Sequence, residues 1–131
     1  MNYRLMFTLN AIVAAVTGVL FVAAPSFFLT MFGFFDASVA TQVVTRFYGG
    51  ALAVTAVFIW LLSNIPATQK NTAITLMVAS AGGFILTLLG MFMYKVIRTN
   101  GWILVLAFLL FTVGYAYLVF RVSVKVKGVK K

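Results

Sequence analysis

Four long apolar runs, almost free of charged residues, constrain this chain more than any other feature. They are Leu5 to Ala24, about Val43 to Leu62, about Ala73 to Tyr94 and about Trp102 to Phe120. A bilayer hydrocarbon core of about 30 Å is crossed by roughly 20 helical residues, and each run supplies that length. Away from water, every backbone N–H and C=O needs a partner within the protein, so only helices and closed barrels can span. The runs are continuous and do not alternate apolar with polar, which argues against barrel strands. The expected fold is all-α, an integral membrane four-helix antiparallel bundle. Its helices cover about 5–24, 43–62, 73–94 and 102–120 within one transmembrane domain spanning 1–131.

Composition supports lipid as the solvent. Hydrophobic residues make up 64% and charged residues 8%. Soluble domains carry about 45–50% and about 25%. Ten Lys and Arg stand against one acid, for a net charge of +9. The cations gather at the ends of the runs and in the last residues. That distribution marks membrane topology and contact with anionic headgroups. It does not suit nucleic acid, because the basic segment is short and has no folded platform around it.

The connections carry turn chemistry. Proline disfavours helical geometry in the residue before it, so Pro25 closes the first helix and Ser63-Asn64-Ile65-Pro66 closes the second. Asn71 or Thr72 is expected to cap the third. Thr99-Asn100-Gly101 marks the last turn. The connection from Pro25 to Gln42 is crowded with Phe27, Phe28, Leu29, Met31, Phe32, Phe34 and Phe35. It reads as a short interfacial segment, helical and lying against the headgroups, broken at Gly33. Asp36 or Ser38 would then cap the second spanning helix. Arg4, the apolar stretch and Val22-Ala23-Ala24 loosely mimic a secretory signal. The stretch exceeds the usual 7–15 residues of such a signal, so the first helix is expected to be retained.

With the N-terminus inside, the inner side carries Arg4, Lys70, Arg121, Lys125, Lys127, Lys130 and Lys131. The outer side carries Lys95 and Arg98, with Arg46 near the outer end of the second helix. The excess supports a multi-pass protein of the cell (inner) membrane with both termini cytoplasmic. Trp102, Tyr48 and Tyr94 would anchor the outer boundary, and Trp60, Tyr115 and Tyr117 the inner one.

Membrane helices associate through close packing at small residues. Ala11, Ala15 and Gly18 recur at helical spacing in the first helix, and Gly49, Gly50, Ala53 and Ala56 in the second. Ala73, Ser80, Gly83, Thr87 and Gly90 do so in the third, and Ala107 and Gly114 in the fourth. Two readings of these seams stand. They hold the monomer together, or one of them, on the third helix, docks another membrane subunit or a second copy.

Catalytic chemistry finds little to use. There is no His and no Cys, and Asp36 is the one acidic side chain. The common ligands for zinc and haem iron are therefore missing, as are the usual triads and the paired carboxylates of glycoside hydrolysis. No metal, no cofactor and no enzyme activity is expected. Arg46 draws the eye, because an Arg at the edge of a spanning helix is costly and often functional. It could pair with Asp36, hold a phosphate or other anionic head group together with Tyr48, or snorkel to the headgroups. Asn10, polar within the first helix, is expected to form an interhelical hydrogen bond in preference to a ligand contact. Thr17, Thr55, Thr75, Thr87 and Thr112 are expected to return their hydroxyls to their own helices. The basic tail 121–131 (Arg121, Lys125, Lys127, Lys130, Lys131) would run along an anionic leaflet or stay solvated.

Four helices in about 130 residues, a Pro closing the first, the apolar Phe32-Gly33 loop and Arg46-Phe47-Tyr48-Gly49-Gly50 form a recognisable set. On these features the chain resembles the small bacterial membrane proteins grouped as domain of unknown function 4345. It is also loosely similar to DoxX-like four-helix proteins. The resemblance implies a fold and no activity, and the basic tail lies outside the shared pattern. The function expected from the residues is a non-catalytic scaffold or accessory subunit packed against a larger membrane complex. The alternative is binding or transport of a lipophilic or anionic-headed molecule, with Arg46 at the mouth of the bundle.

Overall fold

Two prolines and one glycine punctuate the chain. In the computed structural model, which describes residues 2–93, 97 and 100–128, and of 122–128 the backbone alone, α1 spans Tyr3–Ala23. Ala24 leaves helical geometry at φ −137°, ψ 60°, as the residue before a proline tends to. Pro25 then opens α2 (Pro25–Met31) at its first position, where its missing N–H costs nothing and its fixed φ suits a helix. α2 is the expected short helix, and it ends at the expected break. Gly33 adopts φ 98°. Its N–H donates to the Thr30 carbonyl at 3.0 Å, and that of Phe34 donates to the Leu29 carbonyl at 2.9 Å. This pair of bonds is a Schellman cap, which satisfies the last carbonyls and favours glycine at the left-handed position. Gly33→Ala should therefore cost about 1 kcal/mol. It should lower the thermal midpoint in detergent micelles while leaving the helical circular dichroism of the four spans intact.

α3 covers Val39–Leu62 and starts ahead of the expected residue 43. Ser38, not Asp36, is its cap, and Ser38 Oγ accepts the Thr41 N–H at 3.2 Å. Ser38 has the extended backbone a cap requires (φ −60°, ψ 159°), while Asp36 sits further out and is exposed. At the other end, Ser63 Oγ and Asn64 Nδ2 both donate to the Trp60 carbonyl, at 2.6 and 3.2 Å. Gln69 Nε2 donates to the Ser63 carbonyl at 2.8 Å, closing the turn.

α4 (Gln69–Phe92) corrects the expected start at residue 73. A single 3₁₀ turn, Pro66–Thr68, runs straight into it, so Asn71 and Thr72 lie inside the helix and cap nothing. The proline-fixed φ at Pro66 already sets helical geometry. α5 covers Gly101–Gly128 and runs past the expected end at residue 120. From Arg121 to Lys127 there is no Pro or Gly, and Val carries only a modest helix penalty. The backbone therefore keeps its helix to Gly128 where a separate tail was expected. Tyr94, Lys95, Arg98, Lys130, Lys131 and the side chains of Lys125 and Lys127 lie outside the described residues.

The described residues are all-helical, and four helices are long and apolar enough to cross a membrane. The protein is a multi-pass helical bundle. α1 packs on α3 and α4 on α5, with smaller contact between α1 and α5 joining the pairs. One end is closed by a cluster drawn from all four helices, including Phe7, Ile59, Ala73, Tyr115 and Leu118. Tyr3 Oη donates to the Leu118 carbonyl at 3.2 Å, which sets the start of α1 beside the end of the α5 span, on one side of the membrane. At the opposite end α2 lies against α1 and α3. Phe21 meets Phe28 edge-on at 5.3 Å and Tyr48 at 6.2 Å. Asn100 Nδ2 reaches across to the Met31 carbonyl at 2.7 Å, tying the α4–α5 connection to α2.

Tyr115 is corrected. Expected as a boundary anchor, it is 0% exposed and forms the centre of the closed end. A phenol can be buried when its hydroxyl finds a partner, and the polar residue on α1 supplies one.

Candidate functional site

That partner is Asn10. Its Nδ2 donates to Tyr115 Oη at 2.8 Å, joining α1 to α5. The tyrosine ring packs between Phe7 at 5.8 Å and Phe111 at 6.3 Å. The expected interhelical bond is therefore present, and its geometry holds helices together. Thr55, Thr75, Thr87 and Thr112 donate to carbonyls one turn back in their own helices, as expected. Thr17 shows no such bond. Among the described residues no fully enclosed side-chain nitrogen or oxygen lacks a partner. Of the buried polar side chains, Ser63 and Thr87 donate to carbonyls within their own helix ends and turns, and the Ser80 hydroxyl makes no hydrogen bond among the described residues.

At the arginine end, of the alternatives read from the sequence, the pair with Asp36 is not formed. Arg46 is exposed on the second turn of α3. Asp36 borders a shallow surface hollow with Phe34, Ala37, Ser38 and Thr41, and Arg46 is not part of it. Tyr48 is also exposed, though its ring reaches Phe21. The residues proposed for an anionic head group are thus spread over a surface and do not line one cleft. α3 begins about one turn ahead of the expected residue 43, which sets Arg46 a further turn into the helix from the Asp36 connection.

The small residues divide into those that pack and those that do not. A Cβ on Gly18 would stand 2.7 Å from the Gly49 carbonyl oxygen and 2.8 Å from the Ala53 nitrogen. A Cβ on Gly49 would stand 2.7 Å from the Gly18 carbonyl oxygen. Here α1 and α3 touch backbone to backbone. Gly83 lies under the Phe108 ring, its Cβ position 2.7 Å from Phe108 Cε1. Ser80 and Gly114 are buried. Gly50 is a correction, since a Cβ there meets nothing within 4 Å. One residue along from Gly49 is about 100° around the helix, which turns it away from α1. Gly90 is a second correction. Its Cβ would meet Ile97 of the α4–α5 connection at 2.9 Å, not a neighbouring helix.

At the closed end Arg121 is exposed and lies over the Tyr117 ring, 5.5 Å from its centroid. It shares that end with Arg4 and Lys70, also exposed. A furrow of about 350 Å³ between α1 and α3, not foreseeable from any one segment, is bordered by Ile12, Ala15, Val57 and Trp60 among others. Its signal was present in the spacing of Ala11, Ala15 and Ala56. Whether such residues close a seam or leave a gap depends on how far the helix axes diverge, which sequence does not state. Among the described residues no group of three or more His, Cys, Asp or Glu could hold a metal. Comparison of the chain with family models, curated proteins and solved structures returned no match.

Proposed function

We infer that the protein is a non-catalytic accessory subunit or scaffold of a larger membrane complex, set in the inner membrane with both termini cytoplasmic. The observation that carries this reading is a strip of small residues left open on α4. Thr75 and Ala79 face outward, and Gly82, on the same side at helical spacing, has nothing within 4 Å of where a Cβ would be. Close approach at small residues drives association between membrane helices, so an outward face of this kind suits another protein's helix. The shortage of acid–base side chains supports a role without chemistry. Arg4, Lys70 and Arg121 at one end support the cytoplasmic placement of the termini.

Gentle detergent extraction at native expression level, followed by sizing and mass spectrometry, tests the reading. A discrete particle holding this chain at fixed ratio with other membrane proteins is expected, and Gly82→Leu should release the chain from it. A clean monomer in several mild detergents would overturn the assignment.

A further inference from the structure

We propose that the furrow between α1 and α3 seats one acyl chain of an anionic phospholipid, with the lipid phosphate held by Arg4. This does not rest on the accessory-subunit reading. The furrow begins where the close contact at Gly18, Gly49 and Ala53 ends. Towards the closed end, Ala11, Ala15 and Ala56 are too short to fill the space between the two helices. The gap has a volume of about 350 Å³ and is bordered by Thr8, Ile12, Ala15, Ala56, Val57 and Trp60. Small-molecule pockets usually hold about 300–1,000 Å³ and a few convergent polar groups. Here the one hydroxyl, Thr8 Oγ, is already donated to the Arg4 carbonyl at 2.8 Å. Apart from the Trp60 indole N–H, the furrow therefore offers its occupant apolar contact alone.

It also opens sideways. Ile12 is 55% exposed, Val57 56% and Trp60 54%. In a membrane-spanning pair, that opening faces hydrocarbon, where the apolar occupant at hand is a lipid chain. The charges select the lipid. Arg4, Thr8 and Ile12 follow one another at four-residue spacing along a single ridge of α1, so Arg4 stands one turn beyond the furrow at its outer end. Its guanidinium has no hydrogen-bond or ion-pair partner among the described residues, and neither has the Trp60 indole N–H. A guanidinium matches two phosphate oxygens at once, and an indole at headgroup depth can donate to the ester region. Asp36, the one acidic side chain, lies on the α2–α3 connection at the far end and cannot compete for Arg4. Lys70 and Arg121, also exposed at this end, stand on α4 and α5 and not on the two helices that wall the furrow.

Trp60 reports on the site. The chain has two tryptophans, so Trp102→Phe leaves Trp60 as the sole tryptophan, excited selectively over the tyrosines. This variant is reconstituted into phosphatidylcholine vesicles with a minor fraction of either phosphatidylglycerol or phosphatidylcholine brominated along the acyl chains. Brominated phosphatidylglycerol should be enriched at Trp60 about fivefold over the brominated zwitterion, the weight of one basic group at an anionic lipid surface. Arg4→Gln should abolish the preference. Val57→Phe, which fills the furrow from its exposed bank, should reduce quenching by brominated phosphatidylglycerol to the bulk level. Arg46→Gln, at the opposite end, should change neither. Millimolar inorganic phosphate should not displace the lipid. Equal quenching by the two lipids in the parent overturns the proposal. So does a preference that survives Arg4→Gln, one lost with Arg46→Gln, or displacement by phosphate alone. Circular dichroism of each variant separates loss of the site from loss of the fold.

Discussion

Gly18→Leu is expected to prise α1 from α3 and to destabilise the bundle by about 3 kcal/mol, at the upper end of overpacking penalties. The reason is what the new side chain would strike. The first added carbon alone would lie within 2.8 Å of two backbone atoms of α3, the Gly49 carbonyl oxygen and the Ala53 nitrogen. A flexible side chain can swing aside, but a helix backbone moves only as a unit. Gly49→Leu should behave alike, because its added carbon would meet the Gly18 carbonyl oxygen at 2.7 Å. Gly50→Ala is the control. It adds a methyl into open space and removes a flexible residue from a helix interior, so it should be neutral or stabilising by about 0.5–1 kcal/mol. Reversible unfolding in mixed micelles, followed by circular dichroism, measures all three. If Gly18→Leu and Gly50→Ala gave equal midpoints, the backbone contact between α1 and α3 would not exist as described.

Tyr115→Ala is the second large effect, at about 2–3 kcal/mol. In lipid, the transfer component of a large-to-small change largely vanishes, because the surroundings are as apolar as the core. The cavity component remains, at ~24 cal/mol per Å³ over a void of roughly 100 Å³. The void stays empty because Tyr115 is 0% exposed and its neighbours Phe7 and Phe111 close over it. Tyr115→Phe keeps the ring and removes only the acceptor of the Asn10 bond, so about 0.6 kcal/mol is expected. A double-mutant cycle with Asn10→Leu should then return a coupling of that size. No coupling would mean that Asn10 and Tyr115 do not share a hydrogen bond in the membrane.

Much of the architecture is legible in the order of residues. Pro25, Gly33 and Pro66 mark breaks for reasons local to the chain: a missing N–H, a positive φ and a fixed φ. The interhelical bond of Asn10 is foreseeable because an amide in hydrocarbon needs a partner somewhere. Its partner is not foreseeable, since Tyr115 looks like any interfacial aromatic until α5 is rotated against α1. Gly49 and Gly50 are adjacent and chemically the same. One sits at a backbone contact and the other faces open space, and only the helix phase tells them apart. Arg46 drew attention because a charge in an apolar run is conspicuous. Arg4 did not, because a charge before one is ordinary. The furrow that gives Arg4 its meaning arises from two helices diverging, and no single segment records that divergence.

The apolar runs alone settle the solvent and the number of crossings. Burial of about 20 apolar residues at a time satisfies lipid locally, run by run, whatever the neighbours do. Which small residues make contact, which aromatic is enclosed and where an opening is left are properties of the assembled helices. These depend on the rotation and tilt of one helix against another, and those are set by steric fit between faces far apart in the chain.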